Sequence, residues 1–313
     1  MFAFVNILKA IATLLITNSH YEVVYPIKIL ATGGLLGNSI FFLVSGFCLS
    51  NIKENFFLWF RKRIIRIYPA CTIITILSIV SAGELSGSVV EFVRNFIYPT
   101  RYGFIAKIIG LYIPYYFCNK YLMKGKKKTR QVINVVIVTA VYLLIAIINV
   151  QYGEWFYYLS LMLTGVLLRD WGYNSNKLKD KYMWVYSLGM LIIYYVMEVL
   201  IKSEVLNWHY EIINYLILFS CVFCAFVFFM NKEGDWKVKN SGGGKIVSFL
   251  SERTLEIYLV QVFLIPLFRT HASSIPFPVS MLILTIGILA GASVLKACSA
   301  ASVCLTVRLL RNN

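Results

Sequence analysis

A chain of 313 residues that is 59% hydrophobic, only 14% charged and of mean hydropathy +0.73 is not a soluble globular protein, a class that carries about a quarter charged residues. Its net charge of +16, from 30 Lys and Arg against 14 Asp and Glu, falls between apolar runs rather than on a soluble face, which argues against nucleic acid as a partner. The composition is that of an all-α, polytopic integral membrane protein.

A helix needs about 20 apolar residues to cross a bilayer. On that rule the sequence predicts about ten transmembrane helices, over roughly 2–20, 34–50, 64–81, 102–119, 131–150, 154–169, 182–201, 210–230, 251–268 and 279–307. The first apolar run starts at Phe2 and no small-residue cleavage site follows it, so a retained span is expected. Lys9 lies within this span and His20 closes it. Eleven residues is about three helical turns, which puts both on roughly one side, about 16 Å apart along the axis. Ionisable residues inside spans are costly and are candidates for function. Imidazole is the side chain best suited to take a proton near neutral pH. Two plainer roles stay open: Lys9 can snorkel inward and His20 can sit at the interface. The polar run Thr17-Asn18-Ser19-His20-Tyr21-Glu22 offers partners that could hold the imidazole. Glu22 can orient His20 only if the helix ends near that point, because adjacent helical positions do not face each other.

In the second span Ser45-Gly46 interrupts large residues; Gly46 permits close backbone approach and Ser45 can hydrogen-bond across helices. Arg61, Lys62, Arg63 and Arg66 follow, where the chain is expected to re-enter the membrane. Arg63 and Arg66 are three apart and share a helical face, so they form either a topology signal or a forked phosphate clamp. Lys124 to Arg130 reads as an anchor to anionic lipid heads. Cys221 and Cys224 have CxxC spacing inside an apolar run, where Cys acts as a small hydrophobe; no metal site and no disulfide framework is assigned. Asn231 to Lys245, with Gly242-Gly243-Gly244, reads as a flexible linker. Near the ninth span Arg253 and Glu256 are spaced to neutralise each other. Gly287 and Gly291 offer a close-packing face to the last span.

The loops orient the chain. With the N-terminus inside, the inner segments hold 21 Lys and Arg and the outer segments 5. That is the positive-inside pattern, and it places both termini in the cytoplasm. No loop is long enough to fold alone, so residues 1–313 are expected to form a single transmembrane domain.

Four stretches, in order and on these spans, resemble the membrane acyltransferase-three family, polytopic enzymes that O-acylate bacterial surface glycans. Lys9 and His20 match the family's basic residue, ten intervening positions and His, with Lys where Arg is usual. Phe41-Phe42-Leu43-Val44-Ser45-Gly46-Phe47 is similar to its FFxxSGF stretch. Arg63 to Pro69 is similar to RxxRIxP. Thr254-Leu255-Glu256-Ile257-Tyr258-Leu259-Val260 is similar to SxEIYLxH, with Gln261 where the family has His. The family's tryptophan-rich middle segment has no close counterpart.

The resemblance implies an O-acyltransferase of the bacterial cytoplasmic membrane that takes an acyl group, expected to be acetyl, from cytoplasmic acyl-CoA. The acceptor it implies is a sugar hydroxyl of a surface polysaccharide or its lipid-linked precursor. His20, with Glu22, is then the expected catalytic group, either as general base on the acceptor hydroxyl or as a brief carrier of the acyl group. Lys9, Arg63 and Arg66 are the expected acyl-CoA contacts, and Ser45, Asn18 and Glu256 support them. Lys9 cannot form the two-pronged contact of Arg. A transporter or flippase of glycan intermediates accounts equally for ten spans and a basic inner rim; it differs in releasing no CoA.

Overall fold

A computed structural model describes residues 2–82, 102–173, 182–207, 209–233, 242–271 and 275–311. Residues 83–101 of the predicted outer loop 82–101 and most of the predicted inner loops 169–181 and 231–245 lie outside them. Every regular element among the described residues is helical. In chain order they are α1 (Ala3–Ser19), α2 (Gly34–Leu49), α3 (Phe56–Ala82), α4 (Gly103–Phe117), α5 (Lys128–Ile148), α6 (Val150–Leu167), α7 (Met183–Lys202), α8 (Tyr210–Asn231), α9 (Gly242–Glu252), α10 (Thr254–His271) and α11 (Val279–Arg311). Each of the ten predicted spans corresponds to one helix. Among the described residues six segments are long and apolar enough to cross a membrane, those of α2, α3, α5, α7, α8 and α11.

Two expectations shift. α3 starts at Phe56, eight residues before the predicted span, because Asn55 caps it: its Oδ1 accepts from Leu58 N at 3.0 Å. The basic cluster therefore lies within a helix and not at a bend. Gly242–Gly244, expected in a linker, open α9. Its sheltered positions are Gly244 and the run from Val247 to Ser251, so the second half of the helix is the shielded part.

The chain divides into two compact units. The first comprises Met1–Ala12, Leu35–Lys53 and Leu111–Ser248. Its centre is a ring cluster of Phe4, Phe47 and Phe226, with centroids 5.2–5.5 Å apart. Glu233 caps the start of α1, where its carboxylate accepts from the free Ala3 and Phe4 amides at 2.9 and 2.8 Å. α2 and α6 cross at a pair of glycines. A Cβ on Gly46 would stand 1.9 Å from the Met162 carbonyl oxygen, and one on Gly165 2.3 Å from that of Leu43. Gly46 is thus a packing residue, as a glycine among bulky neighbours suggests.

The second unit comprises Thr13–Gly34, Glu54–Gly110 and Phe249–Asn313. The end of α1 is tied to the start of α10 by Thr13 Oγ1 donating to Thr254 Oγ1 at 3.0 Å. α10 packs on α11 where a Cβ on Gly291 would come within 2.9 Å of Val260, the close approach expected of that face. After α1 the chain makes a short 3-10 turn, Tyr21–Val23, joined to α11 through a 2.9 Å hydrogen bond between Tyr21 Oη and Thr285 Oγ1.

Candidate active site

The last helical residue of α1 is Ser19, so His20 stands at the junction between helix and turn. This meets the condition under which Glu22 can share a site with it. His20 is half-buried, and its Nδ1 lies 2.9 Å from the Ile16 carbonyl oxygen and 3.1 Å from Ser19 Oγ. A carbonyl oxygen only accepts, so in the neutral ring Nδ1 carries the hydrogen and Nε2 keeps its lone pair. The end of the helix thereby selects the tautomer.

His20 opens onto a cavity of about 460 Å³ within the second unit. Ser19, His20, Glu22 and Val23 line it from the chain after α1; Tyr258, Gln261, Val262, Ile265 and Pro266 line it from α10. Glu22 is exposed. Tyr258 meets His20 edge-on, with ring centroids 6.2 Å apart, and its hydroxyl accepts from the Phe104 amide at 3.3 Å, at the start of α4. Gln261 lies one helical turn from Tyr258 and is fully buried. One wall offers proton chemistry and the facing wall is largely apolar.

Asn18 points its bonds elsewhere. Its Nδ2 donates to the Leu30 and Thr32 carbonyls at 2.8 and 3.0 Å, and its Oδ1 accepts from Tyr25 Oη at 2.6 Å. It braces the loop after α1, while the partner of the imidazole is Ser19.

The basic residues fall on α3 in the same unit. Arg61 is exposed and Lys62 pairs with Glu54. The guanidinium of Arg63 lies 5.3 Å from the Trp59 ring centroid, one turn earlier, and its buried Nε has no hydrogen-bond partner. Arg66 is exposed. A stacked guanidinium with donor capacity left over fits a phosphate. Glu256, half-buried in the first turn of α10, feels the charges of Arg66, Arg253 and Lys296. Arg253 itself lies over the Phe249 ring, 4.1 Å from its centroid. Along α10, Glu256 and Gln261 are five residues apart, about 7.5 Å of rise. One helix therefore runs from the cation-rich side to the His20 cavity.

Lys9 and Ser45 are half-buried on α1 and α2 in stretches that belong to the first unit. Trp59 is not among the residues that the sequence singles out, and Tyr258 enters there only within the stretch Thr254 to Val260. Both were recoverable from spacing: Trp59 is four residues before Arg63, and Tyr258 three before Gln261.

A family model described as an acyltransferase domain, that of acyltransferase family 3, matches residues 2–297. The chain belongs to this family. The match runs through both compact units and agrees with the motifs on α1, α2, α3 and α10. No curated protein and no solved structure matches. The protein is a membrane acyltransferase, and membership of the family favours acyl transfer over the transporter reading.

Proposed function

We propose that this acyltransferase moves an acetyl group from cytoplasmic acetyl-CoA to a sugar hydroxyl of a surface polysaccharide or its lipid-linked precursor, in the bacterial cytoplasmic membrane. The observation that carries the reading is His20 at the mouth of a cavity, its Nδ1 tied to the Ile16 carbonyl and its Nε2 left as a base. Nε2 takes the proton of the acceptor hydroxyl as the oxygen attacks the thioester carbonyl. The carbon–sulfur bond then breaks, and the imidazolium returns the proton to the departing thiolate. Acceptor and acyl-CoA become ester and CoA, with the enzyme unchanged. A positioned base of this kind contributes typically about 10²–10⁴-fold.

Arg63 and Arg66 bind phosphates of CoA in this reading. Lys9 is assigned a donor contact on the strength of the resemblance alone. Glu22, exposed at the rim, steadies the imidazolium by its charge. All ten predicted spans cross the membrane with both termini inside. Reporters fused near Lys126 and near Ser88 should then report opposite sides, and the same side for both would sink the ten-span count.

The central test is His20→Gln, which keeps a hydrogen-bonding side chain and removes the base. The expected outcome is a folded, monodisperse protein that no longer releases CoA in the presence of glycan or acylates it, read by mass spectrometry. A variant that acylates at the wild-type rate would falsify the base assignment.

A further inference from the structure

Gln261 stands apart among the buried amides. It is 0% exposed, and neither its Oε1 nor its Nε2 has a hydrogen-bond partner. Among the described residues it alone has both polar side-chain atoms left in this state. Buried amides elsewhere leave their oxygens open too, but each has its nitrogen bonded. Asn119 Nδ2 donates to the Ser50 carbonyl at 2.9 Å, Gln131 Nε2 to that of Met123 at 2.7 Å, and Asn214 Nδ2 to Glu198 at 3.2 Å. An unsatisfied buried amide is costly, and an apolar side chain of the same size would remove that cost. Its place is informative: Gln261 is in the wall of the cavity onto which His20 opens.

We propose that Gln261 is a specificity-determining residue that binds the acceptor, pairing with a sugar hydroxyl adjacent to the one His20 deprotonates. This rests on the acceptor being a glycan, as inferred above. The chemistry selects the ligand group. The amide has a donor and an acceptor open at once, and a hydroxyl is both donor and acceptor. A phosphate or an oxyanion would engage Nε2 and leave Oε1 stranded. A rotamer change turns the amide, shut from solvent in the wall, towards an occupant. The cavity, about 460 Å³, falls within the usual range for small-molecule sites. Val23, Val262 and Ile265 supply an apolar wall for the C–H face of a sugar ring.

The test uses the full chain purified in detergent, wild type beside Gln261→Met, which keeps length and removes both hydrogen-bonding groups. The probes are the methyl α-glycosides of glucose, galactose, mannose and N-acetylglucosamine at millimolar concentration. Thermal unfolding is followed with and without each. At least one glycoside should raise the wild-type Tm, and Gln261→Met should lose that shift while unfolding at a higher temperature than wild type when no sugar is present. One monodeoxy form of the responding glycoside should fail on wild type as the parent fails on the variant. For the same glycoside the KM for acceptor-dependent CoA release should rise about tenfold, the loss of one good hydrogen bond. The proposal is overturned if no glycoside shifts the wild type, if the variant responds as wild type does, or if the variant melts lower or fails to fold, which would make the amide structural. Wild-type protein that shifts with a glycoside yet releases no CoA from acetyl-CoA would sink the acyl-transfer reading and leave this assignment standing.

Discussion

The two compact units differ in how they treat their polar groups and their space. In the first, glycines let α2 and α6 touch backbone to backbone, Glu233 satisfies the start of α1, and the buried amides of Asn119, Gln131 and Asn214 have their nitrogens bonded while their oxygens stay open. In the second, the Nε atoms of Arg63 and Arg253 are open, and the Gln261 amide has neither polar atom bonded, in the wall of the cavity onto which His20 opens. Proteins break rules of packing and satisfaction mainly where function demands it. The contrast comes down to one side chain and one cavity, Gln261 beside His20 in the second unit, set against the glycine-packed crossing in the first. It also predicts that substitutions in the first will change how much folded protein exists, and those in the second how fast it works.

The largest effect belongs to the glycine crossing. Gly165→Ala puts a Cβ 2.3 Å from the Leu43 carbonyl oxygen and 2.5 Å from Phe47 N. Backbone atoms cannot step aside as a side chain does. Overpacking alone costs about 1–3 kcal/mol, and this contact is worse, so purified protein should be lost on size-exclusion chromatography. Monodisperse protein in wild-type yield would remove the crossing from the scaffold argument. His20→Gln should have the opposite signature, with yield and Tm retained and acyl transfer reduced by at least the roughly 10²-fold of a general base.

Arg63→Ala comes next. If Arg63 holds a phosphate, losing one charged hydrogen bond, about 1.5–3 kcal/mol, should raise the KM for acetyl-CoA at least about tenfold. Arg63→Lys should recover only part, because an ammonium neither forks nor stacks on Trp59 as a guanidinium does. An unchanged KM in Arg63→Ala protein that inserts normally would reduce the cluster to a topology signal.

How much of this was legible beforehand depends on range. The ten apolar segments could be read because each is a local run, and each proved helical, six of them long and apolar enough to cross a membrane among the described residues. The start of α3 was missed although Asn55 before Phe56-Phe57 is a cap signal, because hydropathy places an edge at the charges and capping does not. The helical run of Gly242–Gly244 was hidden by composition; the sheltering of the second half of α9 depends on tertiary packing. At the site, His20 and Glu22 could be proposed from spacing and chemistry. That Ser19 and Ile16 hold the imidazole, and that Asn18 does not, could not be. Which of several neighbouring polar groups turns inward is decided by how the loop after α1 closes.

That loop gives the smallest prediction and the finest test of the contrast. Asn18 grips it with three hydrogen bonds, two to the Leu30 and Thr32 carbonyls and one from Tyr25 Oη at 2.6 Å. Tyr25→Phe removes only the last and should cost about 1 kcal/mol, a fall in Tm of about 1–2 °C for a chain of this size. Asn18→Ala removes all three and should cost more. Both act at the base of the turn that carries Glu22, so the loss of order should reach the rim of the cavity. The expected kinetic signature is a modest rise in the acceptor KM, larger for Asn18→Ala, with the KM for acetyl-CoA unmoved because Arg63 and Arg66 sit on α3, remote in sequence from the loop. Equal disturbance of both KM values would mean that loop and α3 respond as one body. No disturbance, with the Tm lowered as expected, would confine Asn18 to holding the fold.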